Sequence, residues 1–109
     1  MEFRPPSYYA LAALIDGPLH GYAIVRRAAE LSDGTVRVST GTLYALLERA
    51  VADGLVTAGE PYLERGRKRR DYALTPAGRL ALQTEAHSLA RAAQTVTRRL
   101  RATVQEAST

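Results

Sequence analysis

Residues 39–75 read STGTLYALLERAVADGLVTAGEPYLERGRKRRDYALT, and this segment contains two distinct structural patterns. Its first half has apolar residues at intervals of three and four, the spacing that places side chains on one face of an α-helix. The residues of this stripe are Leu43, Leu46, Leu47, Ala50 and Val51. Ser39 or Thr40 can cap the N-terminus of the helix, and Gly54 can end it. We therefore predict an amphipathic helix that ends before the second half begins.

The second half of the stretch is typical of a β-hairpin. We predict arms at about residues 55–60 and 71–75, with Pro61 keeping the first arm short or at the edge of a sheet. Gly66 permits a tight turn near the tip. The segment around this glycine is strongly basic, with cations at Arg65, Arg67, Lys68, Arg69 and Arg70.

Two further helices are predicted upstream. Residues 5–18 begin with two prolines and end with a glycine–proline pair, and apolar residues recur between them at helical spacing: Tyr8, Leu11, Ala12 and Ile15. Residues 20–34 form a second short helix that Gly34 ends, with one face made of Ile24, Ala28 and Leu31. Residues 35–38, TVRV, alternate in polarity and predict a short strand.

Downstream, Thr75 can cap a helix whose first residue is Pro76 and which could extend to about residue 104. The order is helix, helix, short strand, helix, hairpin and long helix. It predicts a mainly α (α+β) fold: a winged helix-turn-helix with a long C-terminal dimerisation helix. We assign residues 1–75 to a winged-helix DNA-binding domain and residues 76–109 to the dimerisation helix, which together form one compact unit.

Composition narrows the possible classes of protein. The 109 residues carry a net charge of +4, with the excess at residues 65–70 and 98–101, which suggests a polyanionic partner. The chain has no cysteine, which excludes disulfides and thiolate metal sites. No apolar run approaches the roughly 20 residues that span a bilayer, and the N-terminus lacks the pattern of an export signal. We expect a cytoplasmic protein with no membrane partner.

The third helix and the hairpin tip are the candidate nucleic-acid-binding surfaces. Opposite the leucine stripe, the third helix carries small and polar residues, with Tyr44 on the flank: Gly41, Thr42, Ala45, Glu48 and Arg49. Short side chains able to form hydrogen bonds suit a helix tip that enters the major groove, and arginines suit phosphates. A plain capped helix and a solvated basic loop would explain each feature alone. Together, at the separation that a wing requires, they predict binding to nucleic acid.

The last helix has a coiled-coil spacing of apolar residues. They step by four and three: Leu82, Ala86, Leu89, Ala93, Val96 and Leu100. A helix packed on its own domain could show the same pattern, but one this long extends beyond so small a body. A second copy of the chain is the simplest cover for the outer half, so we predict a homodimer.

Signatures of enzymes and of metal sites are missing from the sequence. The histidines, His20 and His87, are far apart, and no His, Cys and carboxylate set has the spacing of metal ligands. We expect His20 to be a turn residue with local hydrogen bonds. We predict no catalytic residue, no metal ligand and no cofactor.

Three segments resemble, in order and spacing, the PadR family of bacterial transcription regulators: GPLHGYAIVRRAAEL, STGTLYALLERAVADGLV and GRKRRDYALTPAGRLAL. The likeness implies a dimeric winged-helix repressor on a palindromic operator, dimerised through the first and last helices. Carried over by position, the DNA-binding residues are Tyr22, Ser39, Thr40, Thr42, Tyr44, Arg67, Lys68 and Arg69. With dimerisation through those two helices, the candidate interface residues are Tyr8 and Leu11 on the first helix and, from the coiled-coil spacing, Leu89, Ala93, Val96 and Leu100 on the last.

The chain also departs from the family pattern. The family usually has proline at positions 40 and 45 and leucine at position 50, where this chain has Thr40, Ala45 and Ala50. Some small members of the family bind planar hydrophobic compounds between subunits by stacking on tryptophan, which this chain lacks. Stacking here would fall to the aromatic residues Phe3, Tyr8 and Tyr9.

We therefore expect a repressor that a hydrophobic or aromatic small-molecule effector releases. The alternatives are a hydrophobic-compound (multidrug) sensor with its primary site in a pore at the dimer interface, a protein-interaction module and an RNA binder. Five cations at a wing tip are an odd surface for protein docking, and the aromatic residues are not arranged as a platform for RNA bases.

Overall fold

The computed structural model describes residues 1–108. The helices are α1 (Pro5–Ala12), α2 (Gly21–Leu31), α3 (Thr40–Ala52) and α4 (Pro76–Ser108), and the strands are β1 (Leu19–His20), β2 (Val56–Ala58), β3 (Tyr62–Glu64), β4 (Arg67–Arg69) and β5 (Asp71–Leu74). This order confirms the predicted fold class, in which short helices precede a hairpin and a long C-terminal helix.

The strands form two small antiparallel sheets. The first has the order β1-β5-β2, and the second pairs β3 with β4. Both predicted hairpin arms contain a strand, β2 and β5, and the chain between them forms the second hairpin. We call residues 62–69 the wing tip. Its turn is Arg65-Gly66, where φ is 50° and 77°. Positive φ at both central residues is typical of a two-residue type I′ turn, so Gly66 has the predicted role.

The strand predicted at residues 35–38 is wrong. The short strand is instead β1, which pairs with β5 through Leu19 opposite Tyr72. Val36 and Val38 alternate with exposed residues because both are buried in the core, while the backbone amide of Val36 donates to Ser32 Oγ at 2.9 Å rather than to a strand. Two valines that alternate with polar residues because both contact the core give the same sequence pattern as a strand, which explains the wrong prediction.

Helix α1 is shorter than predicted, and its buried face differs from the predicted one. The helix ends at Ala12, and its core side consists of Ala10 and Leu11, followed by Ala13 and Leu14 in the next turn of chain. Leu11 is 0% exposed. Its assignment to the dimer interface is therefore corrected, because a side chain enclosed by its own domain has no surface left for a partner.

The core lies between the three short helices and the three-stranded sheet. In α3, Leu43 and Leu47 are buried as predicted, whereas Val51 is 40% exposed near the end of the helix. In α2, Ile24 and Ala28 are buried, but Leu31 at the last turn is not. The sheet adds Val56 and Tyr72 to the same cluster. The leucine stripe therefore fixes which side of α3 remains in solvent.

Helix α4 extends well past this core. Thr75 caps it by accepting the amide hydrogen of Gly78 at 2.9 Å, as predicted, and the helix continues beyond the expected end near residue 104. A Cβ on Gly78 would collide with the carbonyl of Leu55, so the first turn of α4 packs directly on the domain. Leu82 is buried, but Val96 is 57% exposed. Thr109, the last residue of the predicted segment, lies outside the described residues.

The molecule is elongated, with extents of 68 × 26 × 22 Å over residues 1–108. None of its described helices is long and apolar enough to cross a membrane.

Candidate nucleic-acid interface

The N-terminus of α3 carries the hydroxyl groups that the sequence singled out. Ser39 is the N-cap: its Oγ accepts the backbone amide hydrogen of Thr42 at 3.3 Å and donates to Thr42 Oγ1 at 2.9 Å. Ser39, Thr40 and Thr42 are all exposed. Ser39 therefore holds the helix end and the Thr42 side chain together, and the first turn of α3 presents short polar groups to solvent.

Tyr44 lies one turn further along α3, on the side that faces the N-terminus of α2. Its ring is half exposed, and a Cβ on Gly21 would be only 2.9 Å from Tyr44 Oη. A residue without a side chain at position 21 is what lets α2 and the tyrosine approach this closely. The neighbouring Tyr22 is 65% exposed and has the guanidinium of Arg26 at 5.8 Å from its ring centre. Tyr22 of α2 and Tyr44 of α3 thus both lie near the start of α2.

The wing tip presents its basic residues unequally. Arg65, Arg67 and Lys68 are exposed, and Arg65 stands at the apex of the turn. A non-glycine residue with positive φ is strained by about 1 kcal/mol or more. A cation at this apex therefore replaces a glycine or asparagine that would suit the backbone better.

Arg69 turns back toward the body of the domain, unlike its neighbours. Its side chain is 20% exposed, and its Nη1 lies 3.1 Å from His20 Nδ1 and 3.4 Å from His20 Nε2. The carboxylate of Glu64 is 4.0 Å from Arg69 Nε. The DNA-binding role carried over for this residue requires an exposed guanidinium, so the structure separates Arg69 from Arg67 and Lys68.

His20 connects the wing to α2. It is the N-cap of α2, and its Nδ1 accepts the backbone amide hydrogen of Ala23 at 3.3 Å. The predicted local hydrogen bond of His20 is confirmed, but the residue lies in β1, opposite Asp71, and not in a turn. The contact with Arg69 was not predicted, because nothing in the local sequence indicates that residues 49 positions apart meet.

A cleft of about 240 Å³ lies between the start of α2, α3 and the wing. Three cations and three tyrosines are among its lining residues: His20, Gly21, Tyr22, Tyr44, Pro61, Lys68, Arg69, Arg70 and Tyr72. No carboxylate lines it, so the electrostatic potential in the cleft favours an anion. Residues assigned to DNA from three separate parts of the sequence therefore surround one space.

A second side-chain bridge connects the wing tip to β5. Tyr62 Oη donates to Asp71 Oδ1 at 2.6 Å. This hydrogen bond, together with the nearby carboxylate charge, stabilises the neutral phenol and raises the pKa of Tyr62 to about 12. Tyr62 and Asp71 lie on opposite sides of the hairpin, and backbone hydrogen bonds do not pair them with each other.

Residues 10–84 match the model of the PadR-like family of transcriptional regulators. The match covers most of the chain: it starts at the end of α1, includes α2, α3 and both hairpins, and ends in the first turns of α4. The chain belongs to the PadR-like family. This confirms the resemblance found in the sequence, and it agrees with the prediction that the protein is a transcriptional regulator and not an enzyme. Within residues 1–108, no three His, Cys, Asp or Glu side chains lie close enough to hold a metal ion.

Known proteins similar to this chain support the assignment. "Transcriptional regulator Rv3488" of Mycobacterium tuberculosis is 42% identical over 81 residues, which are 74% of this chain and 72% of that protein. An uncharacterized 37.1 kDa protein in transposon TN4556 of Streptomyces fradiae is 48% identical over 91 residues, 84% of this chain. The chain spans only 25% of the length of that Streptomyces protein.

A solved relative shows the same fold at lower identity. The structure of Bacillus subtilis PadR in complex with operator DNA aligns with a TM-score of 0.66 at 23% identity, covering 76% of this chain and 48% of that one. The likeness confirms a PadR-type winged helix here. The individual DNA-binding and dimer-interface residues stay predictions.

Proposed function

We propose that this chain is a sequence-specific repressor that binds double-stranded DNA as a homodimer on a palindromic operator. The observation that carries the proposal is the cleft lined by Tyr22, Tyr44 and Lys68, because it joins the start of α2, the exposed face of α3 and the wing in one cationic surface. The structural relative solved with operator DNA supports the same class of ligand. The hydroxyls at the start of α3 contact base edges, and the wing cations contact phosphates.

Binding to duplex DNA measured by fluorescence anisotropy over a range of salt concentrations tests this proposal. Changing Arg67 and Lys68 together to glutamine should reduce the slope of log affinity against log salt by roughly 0.9 for each lost phosphate contact. Arg91 and Arg98 provide the matched control, because both are exposed cations on α4 away from the wing. Their double change to glutamine should leave the slope unaltered. Equal losses in both variants would show that net charge, not the wing, drives binding.

The homodimer is proposed from the outer half of α4. Leu89 is 48% exposed, Val96 57% and Leu100 61%, so the coiled-coil stripe lies open in the single chain. An apolar groove of about 350 Å³ beside it includes Tyr8 and Leu82 between α1 and α4. A second copy can cover both surfaces and place two α3 helices about 34 Å apart, the spacing of half-sites on one DNA face.

Light scattering after size-exclusion chromatography tests the dimer. Val96→Glu with Leu100→Glu should convert a dimer to a monomer, since two carboxylates would be buried in an apolar seam. Arg98→Glu is the control, because position 98 is on the opposite face of the same heptads. A monomeric wild-type protein at micromolar concentration would contradict the proposed interface.

We propose further that a hydrophobic or aromatic compound binds near this interface and releases the operator. A pocket of about 210 Å³ between the N-terminal segment, α1 and α4 is lined by Phe3, Tyr8, Tyr9 and Leu89 among other residues. The two tyrosine rings meet edge to face at 5.3 Å. Because Tyr8 and Leu89 also belong to the proposed interface, a bound compound would change the distance between the two α3 helices of the dimer.

Operator affinity measured with and without a panel of planar hydrophobic compounds tests the effector. A compound that binds and weakens the operator complex, with both effects lost in Tyr8→Ala, is the expected result. A compound that binds tightly while operator affinity stays constant would favour the alternative in which sensing hydrophobic compounds is the primary activity. No effect from any compound would contradict the effector proposal.

A further inference from the structure

The wing tip is not part of the same hydrogen-bonded sheet as the body of the domain. Strands β3 and β4 pair only with each other in the described sheets, while β5 and β2 belong to the sheet that packs on the core. Gly59 and Pro61 lie on one connection between the two sheets, and Arg70 lies on the other. The first sheet reaches toward the tip through the backbone hydrogen bond from Gly59 N to Asp71 O at 2.8 Å. No strand pairing of the described sheets continues past it, so side chains help to set the angle at which the tip projects.

Two side-chain bridges restrain that angle. Tyr62 reaches Asp71, which follows the wing tip by two residues, so this bond mainly closes the base of the hairpin. Arg69 instead reaches His20, at the junction of β1 and α2. Of these two contacts, the second is the one that ties the wing tip to the helical body.

The chemistry of Arg69 suits a fixed internal contact. One guanidinium nitrogen lies within 3.4 Å of both nitrogens of the His20 ring, so the guanidinium is in close contact with the ring. Its Nε is buried and makes no hydrogen bond within residues 1–108, with the nearest carboxylate, from Glu64, at the limit of an ion pair. A residue placed to meet phosphate would expose these donors, as Arg67 does.

We propose that Arg69 is a positioning residue: with His20 it forms a latch that sets the wing against the N-terminus of α2, so that Arg67 and Lys68 meet the DNA backbone. The inference rests on the proposed DNA-binding function and assigns Arg69 a different part in it from the phosphate contact carried over by family position. It also gives His20 two tasks, capping α2 and holding the wing.

The test uses Arg69→Gln and His20→Asn, singly and together, in the full chain. Asparagine at position 20 keeps an N-cap for α2, since Asn is among the preferred capping residues. Each single variant should weaken DNA binding about tenfold, which is about 1.4 kcal/mol, and the double variant should be no weaker than either single one. A direct phosphate contact by Arg69 would instead make the two losses add.

A second comparison separates positioning of the wing from mere support of α2. In a background of Arg67→Gln with Lys68→Gln, the wing has little left to place, so His20→Asn should lower DNA affinity much less than it does in the wild type. If His20 only stabilises α2, the same fold-loss should appear in both backgrounds. That result would overturn the latch.

Hydrogen exchange in the free protein keeps the test independent of DNA. The amides of residues 62–69 should exchange faster in Arg69→Gln and in His20→Asn, whereas Arg67→Gln, two residues away on the same strand, should leave them unchanged. Unchanged exchange in the two latch variants would overturn the inference. If the wild type binds no DNA even at low salt, the proposed function is wrong, and the exchange result alone decides whether the latch exists.

Discussion

Gly21→Ala should lower the affinity for DNA while changing the free energy of unfolding only slightly. The new Cβ would be 2.9 Å from Tyr44 Oη, 3.3 Å from Tyr44 Cζ and 3.4 Å from Leu43 Cδ2. The closest atom is the far end of a ring that is 49% exposed, so the tyrosine can swing outward at little cost. Replacing glycine by alanine also reduces the conformational freedom of the unfolded chain, which stabilises the fold by about 0.4–1 kcal/mol. The free energy of unfolding should therefore change by less than about 1 kcal/mol, because the two effects oppose each other.

DNA affinity should respond differently, because the displaced ring carries the hydroxyl proposed to contact DNA. Losing one such hydrogen bond costs about 1 kcal/mol, or about fivefold in affinity. Urea unfolding and fluorescence anisotropy measure the two quantities. Adding Gly21→Ala to Tyr44→Phe should cost little further affinity, since both changes remove the same hydroxyl. Unaltered DNA binding by Gly21→Ala, or a loss of stability above about 2 kcal/mol, would refute this account of the α2–α3 contact.

Two further predictions concern the domain body and the wing. Gly78→Ala should destabilise the fold by about 2 kcal/mol or more, since its Cβ meets the backbone of Leu55, whereas Gly41→Ala, with open space around its Cβ, should be neutral or stabilising in thermal unfolding. The phenol of Tyr62 should titrate with a pKa of about 12, and Asp71→Asn should return that pKa toward 10.0, as seen in ultraviolet absorbance titrations referenced to Tyr62→Phe. Because the folded-state pKa is raised, the stabilisation from this bond is complete below pH 10 and is lost as pH rises through about 12; a constant stability across that range would contradict it.

Periodic patterns in the sequence predicted the elements that pack along their full length. The apolar stripe from Leu43 to Ala50 predicted α3 and its exposed face correctly. One face of that helix packs on the core and the other is in solvent, so the pattern and the burial agree. The prediction failed in α1, where Leu11 was assigned to the dimer interface because the family resemblance implies dimerisation through the first helix. Apolar residues cover two faces of that short helix, and spacing alone cannot tell which face the domain encloses.

The short strand shows a second limit of sequence patterns. Val36 and Val38 alternate like a strand, yet pairing depends on a distant partner, and β5 selects Leu19 and His20 instead. A two-residue strand next to a helix cap leaves almost no periodic signal. Its position is set by the tertiary contact with Tyr72 and not by the composition of the segment itself.

The wing shows a similar limit of sequence patterns for functional residues. The basic run predicted a phosphate-binding tip, and Arg67 and Lys68 are indeed exposed, but charge alone did not distinguish them from Arg69. That distinction depends on His20, which the fold brings to the base of the wing although it is far away in the chain. The basic run alone does not distinguish an arginine that contacts a histidine of its own domain from an arginine that is exposed to meet phosphate. The surrounding acceptors separate them, so the geometry of the wing must be known before its arginines are assigned to DNA.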